Sequence, residues 1–172
     1  MDKDKKNTCC FFGHRKIAQT EELRIELYRI IQELVEQKNV HTFLFGSKSR
    51  FDSLCYEVVS SLKEKYPHIR RVYVRAEFPY ISDEYKKHLL DMYEYTYYPD
   101  SIIGSGKAVY VERNFEMIDK SAFCVVYYDA GYLPPKRKNS KKDVLEYQPN
   151  SGTRLAYEYA MKKGLNIINT VR

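Results

Sequence analysis

Tryptophan is absent from the chain, no two cysteines stand in a Cys-x-x-Cys pair, and no apolar run approaches the length of a membrane span. The last two absences each remove a class of protein. The four cysteines, Cys9, Cys10, Cys55 and Cys124, and the four scattered histidines make no zinc pattern. Each cysteine lies beside apolar residues of an expected strand or helix, so free, buried thiols in a reducing compartment are the favoured reading. A catalytic Cys10 near His14 is the less favoured one. The N-terminal stretch "MDKDKKNTCCFFGHRK" holds an apolar run of only four residues, too short for a signal-peptide core or a span. A cytoplasmic protein with no membrane contact, no metal and no cofactor is expected. The carboxylates form no close pair suited to general acid–base work.

What is present is a foldable composition. The 172 residues are 44% apolar and 15% aromatic, enough for a core without disulfide or metal staples. The length predicts a single domain over residues 1–172. Tyrosine is abundant at 17, a side chain that can fill a core edge and still offer a polar tip at a site. The net charge is +6, but "KRKNSKK" at 136–142 alone carries five positive charges, and without it the surplus is one. The basic character is therefore one loop and not a stripe along a face, which makes a dedicated nucleic-acid binder the less favoured partner class.

Strand and helix patterns alternate. "TCCFF" (8–12), "VHTFLF" (40–45), "IRRVYVR" (69–75), "AFCVVYY" (122–128) and "LNIINTV" (165–171) read as strands, and a further short strand is expected near Ile102 and Ile103. Helical spacing places Leu23, Leu27, Ile30, Ile31 and Leu34 on one face over 20–38, and Leu54, Cys55, Val58, Val59 and Leu62 on another before Pro67. Further helices are expected over 82–93 with Ser82 as N-cap, over 109–120, and from Ser151 to Gly164. Residues 129–150 form a long loop containing the basic run. Several strands are apolar on both alternations, so both faces should be covered. The expected fold is α/β, an open and mostly parallel sheet with helices on both faces.

Ligands of such sheets bind beyond the carboxyl ends of the strands. Two loops at that edge have the form of anion cradles. In "GSKSRFD", Gly46 allows close approach of backbone, Ser47 and Ser49 supply hydroxyls, Lys48 and Arg50 supply charge, and a helix start follows at Asp52. In "NSGTR", Ser151, Gly152 and Thr153 open the last long helix. Capping alone explains small polar residues at a helix start. Two such loops at one edge favour a phosphate-bearing ligand. After the first strand, Gly13, His14 and Arg15 could reach the same edge, although a solvated turn is the simpler reading. Asp52 equally suits the helix dipole, and the tyrosines from Tyr80 to Tyr98 mostly suit the sheet or a subunit contact, with one or so left to stack on a base.

Four segments, "CCFFGHRK", "FGSKSRFDSLCYE", "ERNFEMIDKSAFCVVYY" and "PNSGTRLAYEYAMKKGLNIIN", together resemble the SLOG superfamily and most nearly its YpsA-like branch of small bacterial proteins. Order and spacing match across nearly the whole chain. The resemblance implies a Rossmann-like fold, a nucleotide-related ligand such as an ADP-ribose derivative, ligand contacts from Arg113 and Asn114 besides the loops above, and a homodimer. The superfamily includes cytokinin-activating phosphoribohydrolases, the DNA-processing protein DprA and nucleotide-sensing domains.

Departures from the family pattern separate these functions. The phosphoribohydrolases carry a glutamate three residues after the threonine that Thr153 matches; here Ala156 stands there. Glu158 lies two positions on, roughly 200° around a helix, and does not replace it. Arg113 matches the arginine of the same enzymes, and its fork suits phosphate without any turnover. Gly46 stands alone where relatives often have two or three glycines. The leading expectation is a nucleotide-binding protein that does not cleave its ligand. The alternatives are a nucleoside-monophosphate phosphoribohydrolase and a DprA-like single-stranded DNA binder using "KRKNSKK" and the tyrosines.

Overall fold

The computed structural model describes residues 2–132 and 152–171. Most of the 129–150 loop, including the basic run, and Ser151 lie outside the described residues. A short helix α1 (Asp2–Lys5) precedes β1 (Thr8–Gly13), α2 (Glu21–Gln37), β2 (Thr42–Phe45), α3 (Arg50–Lys65) and β3 (Arg70–Val74). Then follow α4 (Asp83–Met92), β4 (Tyr95–Tyr97), α5 (Ala108–Asp119), β5 (Phe123–Tyr127), α6 (Gly152–Lys162) and β6 (Asn166–Asn169). The strands make one open sheet in the order β4-β3-β2-β1-β5-β6, with every neighbouring pair parallel. This is the α/β architecture expected from the alternating pattern, a Rossmann-like fold.

The double alternation of β1 explains why both sheet faces are covered. Cys9 and Phe11 enter one apolar cluster with the inner stripes of α2 and α3. Cys10 and Phe12 enter the other with Met117 and Ile118 of α5 and Ala156 and Ala160 of α6. Phe11 stacks on Phe43 and Phe45 at centroid distances of 5.9 and 5.1 Å. Burying each such ring contributes roughly 1.5–3 kcal/mol, which makes this aromatic row a main support of the α2–α3 layer. All four cysteines are free and buried. Burial pushes the Cys9 and Cys55 thiols well above their usual range, a hydrogen bond with Cys10 and then burial do the same to Cys124, and Cys10 is likewise closed to solvent. None of them has the exposed, electropositive setting of a nucleophile.

Helix starts follow their capping residues. The Thr20 hydroxyl accepts from the Leu23 N–H at 3.1 Å, and Ser82 accepts from Tyr85 in the same way. Gly164, in the left-handed region at φ +76°, ends α6 where an L side chain would be strained. One element differs from expectation. The strand after α4 is Tyr95–Tyr97 and not the segment at Ile102 and Ile103, where Ile103 is 88% exposed. Parallel pairing with β3 decides this: Thr96 sits opposite Tyr73 and its buried hydroxyl donates to the Tyr73 carbonyl. The isoleucines have hydrophobicity but no strand beside them.

Gly13 closes β1 against α3. A Cβ there would lie 2.3 Å from Phe51 Cβ, so helix and strand approach through a missing side chain. Gly13→Ala should destabilise the fold by about 1–3 kcal/mol through overpacking, read as a lower urea midpoint with an unchanged m value.

Candidate functional site

The 46–52 loop is built around a buried carboxylate. Ser49 caps α3, its hydroxyl accepting from the Asp52 N–H at 3.0 Å, and the Ser47 hydroxyl accepts from the Ser49 N–H at 3.1 Å. Asp52 then turns back under the loop, where Oδ2 accepts from the Ser47 N–H at 3.1 Å and the Gly46 N–H at 3.4 Å. The N–H groups of Gly46, Ser47 and Ser49 are therefore already engaged. This changes the role of the loop: Asp52 occupies the place an anion would take among those donors. Arg50 is exposed, and its own N–H donates to the Arg15 carbonyl at 3.2 Å, tying this loop to the one after β1.

Arg113, buried on α5, fastens the same loop from the other side. Its Nη1 donates to the Gly46 carbonyl at 2.6 Å, while Nε donates to Asn114 Oδ1 at 3.2 Å. A Cβ on Gly46 would lie 2.8 Å from Arg113 Cδ. The space that glycine leaves open is thus filled by the arginine stem and not by a ligand. Burial lowers the Arg113 pKa, opposed by the charge of Asp52, but an arginine stays protonated in a protein.

Above this knot lies a cleft of about 700 Å³, within the usual size for a small-molecule site. Of the residues expected at the site, Arg15, Gly46, Ser47, Lys48 and Arg113 line it. Facing them are Arg75, Glu77, Phe78, Tyr80, Tyr85 and Tyr110; Tyr80 and Tyr85 are among the tyrosines that the sequence offered for stacking on a base, whereas Arg75, Glu77, Phe78 and Tyr110 were not singled out. The available signal was "RAEFPYIS" (75–82), an aromatic-bearing run between a strand end and a helix cap where no core is present to receive it. Tyr80 is 92% exposed and Phe78 63%. Among the described residues none of Arg15, Lys48, Arg75 and Arg113 forms an ion pair. Arg75 reaches the Phe78 and Pro79 carbonyls at 3.4 Å, and its buried Nε has no hydrogen-bond partner among the described residues.

The remaining expected residues stand elsewhere. His14 is buried and not part of a solvated turn. Its Nε2 accepts from the Asp129 N–H at 2.9 Å, which leaves the proton of the neutral ring on Nδ1, a buried atom with no partner among the described residues. The ring stacks on Tyr132 at 3.9 Å, and burial lowers its pKa. Gly13 and Asn114 serve packing and the orientation of Arg113. Gly152 and Thr153 open α6, Gly152 exposed and Thr153 buried, and neither lines the cleft. Ala156 is in the core, while Glu158 is on the outer face of α6, paired with Arg154 at 3.0 Å.

No family model matches the chain, and no curated protein matches it. Among solved structures it resembles DNA processing protein A from Helicobacter pylori, described by its single-stranded DNA binding mode, with a TM-score of 0.55 and 14% sequence identity. The likeness covers 95% of this chain and 65% of that one, so the chain spans just under two thirds of that protein's length. At this identity the likeness is one of fold. Among the described residues no helix is long and apolar enough to cross a membrane, and no cluster of side chains could hold a metal ion.

Burial pushes Asp52 up from 3.8 to about 7, against the Gly46 N–H, the Arg113 charge and the Ser47 N–H, which favour the carboxylate. The folded state thus holds this proton more tightly than the unfolded chain. Its stabilising contribution is complete at low pH and is lost as pH rises from 3.8 to about 7. Asp52→Asn keeps an acceptor for Ser47 and removes the titration. Stability of the variant should vary less with pH across that window, by up to about 1.4 kcal/mol per pH unit, read by urea titrations at several pH values.

Proposed function

We propose that the cleft binds a nucleotide or a nucleotide-derived molecule such as ADP-ribose, and that the chain is a cytoplasmic, dimeric SLOG-type protein of the YpsA-like branch. One observation carries the reading: four cations that form no ion pair among the described residues converge on a cleft whose opposite wall bears unburied aromatic rings, at the carboxyl edge of a parallel sheet. Cations suit phosphate oxygens and aromatic faces suit a base. In this reading Lys48, Arg15 and the outward side of Arg113 meet the phosphate. Gly46, Ser47, Ser49, Arg50 and Asp52 shape the loop that presents Lys48. Ala156, where the phosphoribohydrolases carry a glutamate, supports binding without cleavage.

A panel of AMP, ADP, ADP-ribose and the other nucleoside phosphates at millimolar concentration tests this by thermal unfolding. Saturation to 100 times Kd contributes about 2.7 kcal/mol, a Tm rise of roughly 5–10 °C for a chain of this size. Arg15→Ala and Lys48→Ala, both at exposed positions, should each weaken binding about tenfold while leaving the free protein's Tm in place. No shift across the panel would overturn the reading.

The fold likeness to a single-stranded DNA binder favours a second reading, in which the same basic and aromatic walls take a DNA strand. Stacking rings beside cations are the usual means of sequence-tolerant binding. Anisotropy titrations of a labelled oligothymidylate would then show steep salt dependence, and loss of Arg15 and Lys48 should flatten the log–log slope by about 0.7 for each. An unchanged slope in the double variant would exclude this cleft as the DNA site.

A further inference from the structure

The described lining of the cleft holds one carboxylate among its cations, and none of them forms an ion pair with it, although its charge acts on Arg113. Glu77 is exposed on the loop after β3 and lines the cleft. Its Oε1 accepts a hydrogen bond from the Tyr110 hydroxyl. Among the described residues Oε2 has no hydrogen-bond partner, and no lysine or arginine pairs with the group. A negative group here repels phosphate. This end of the cleft therefore suits a neutral hydrogen-bond donor.

The order of groups along the cleft says which donor. Arg15 and Lys48 come from the loops after β1 and β2, at one end. Arg113 stands between, bonded to the Gly46 carbonyl and with its guanidinium 5.6 Å from the centre of the Tyr110 ring. Tyr110 and Glu77 come next, and Phe78 and Tyr80 follow Glu77 in the same loop. Across the sheet the cations of the loops after β1 and β2 are thus followed by the acceptor pair and the exposed rings at the loop after β3, which also holds Arg75, and a phosphate at Arg15 and Lys48 leaves the sugar beside Glu77 and the base beside the rings.

We infer that Glu77 and Tyr110 form a ribose subsite, in which the Glu77 carboxylate accepts from the 2′- and 3′-hydroxyls, so that the cleft selects ribonucleotides over 2′-deoxyribonucleotides. Carboxylates hold ribose hydroxyls in this way at other parallel-sheet sites. Tyr110 fixes one carboxylate oxygen and leaves the second, and its own lone pairs, for the diol. The inference rests on the nucleotide reading of the cleft and gives it a substrate class: ligands with a free vicinal diol.

Calorimetric titration of the full chain with the four ribonucleoside 5′-monophosphates and their four 2′-deoxy counterparts tests it. At least one ribonucleotide should bind about tenfold tighter than its deoxy form, the effect of one charge-assisted hydrogen bond. Glu77→Gln and Glu77→Ala should bring that ratio to about two or less, with circular dichroism and Tm of the free protein unchanged. Equal binding of the two sugars by the wild-type chain would overturn the subsite and leave the nucleotide reading standing. A ratio that survives both variants would also overturn it, by placing the discrimination on other groups. Failure of every nucleotide to bind would remove the cleft reading and the subsite together.

Discussion

The contact between Arg113 and Gly46 fixes the relation of the α5 layer to the loop between β2 and α3. A buried guanidinium must find acceptors or be strongly destabilising, and this one finds the Gly46 carbonyl and Asn114. The stem reaches that carbonyl only because residue 46 has no side chain. Asp52 completes the arrangement from below, holding the N–H groups of the same loop. Two buried charges of opposite sign thus grip one short segment without touching each other as an ion pair. The position of Lys48, at the rim, follows from that grip.

The layers on either side of the sheet were legible in the amino-acid pattern, for a simple reason. A strand such as "TCCFF" is apolar at four consecutive positions after Thr8, and only a sheet covered on both faces can accept it. The inner stripes of α2 and α3 were equally plain, because Leu27, Ile31, Leu54 and Leu62 fall at helical spacing. The short edge strand was not. "YEYTYYPDSIIG" has its strongest hydrophobicity at the isoleucines, whereas strand formation was decided by what lay opposite, at Tyr73 and Val74.

The placement of the candidate residues was legible in part, and the differences share a cause. Residue types announce which groups can bond and not which partner has taken them. Ser47 and Ser49 look like ligand hydroxyls until their hydrogen bonds within the loop are seen. His14 looks like an exposed turn residue until Tyr132 is found stacked upon it. Of the opposite wall only Tyr80 and Tyr85 were among the residues considered for a ligand; Arg75, Glu77, Phe78 and Tyr110 were not, because the wall's members are spread from Arg75 to Tyr110 and only the return of the chain through α4, β4 and α5 brings them together. By contrast, the outward placement of Glu158 followed from helix rotation alone, and its pairing with Arg154 agrees with that.

Among the described residues that line the cleft, four are cations and one, Glu77, is a carboxylate, so the remaining positive field extends beyond the rim by about a Debye length, roughly 8–10 Å at ordinary salt. An anion is therefore drawn in before any contact forms. Charge of this kind governs the speed of encounter more than the length of residence. The loop that carries Lys48 is already braced by Asp52 and Arg113, so little rearrangement is needed after arrival. Under the nucleotide reading proposed above, such a cleft fills and empties on the timescale of diffusion and release rather than of a folding step.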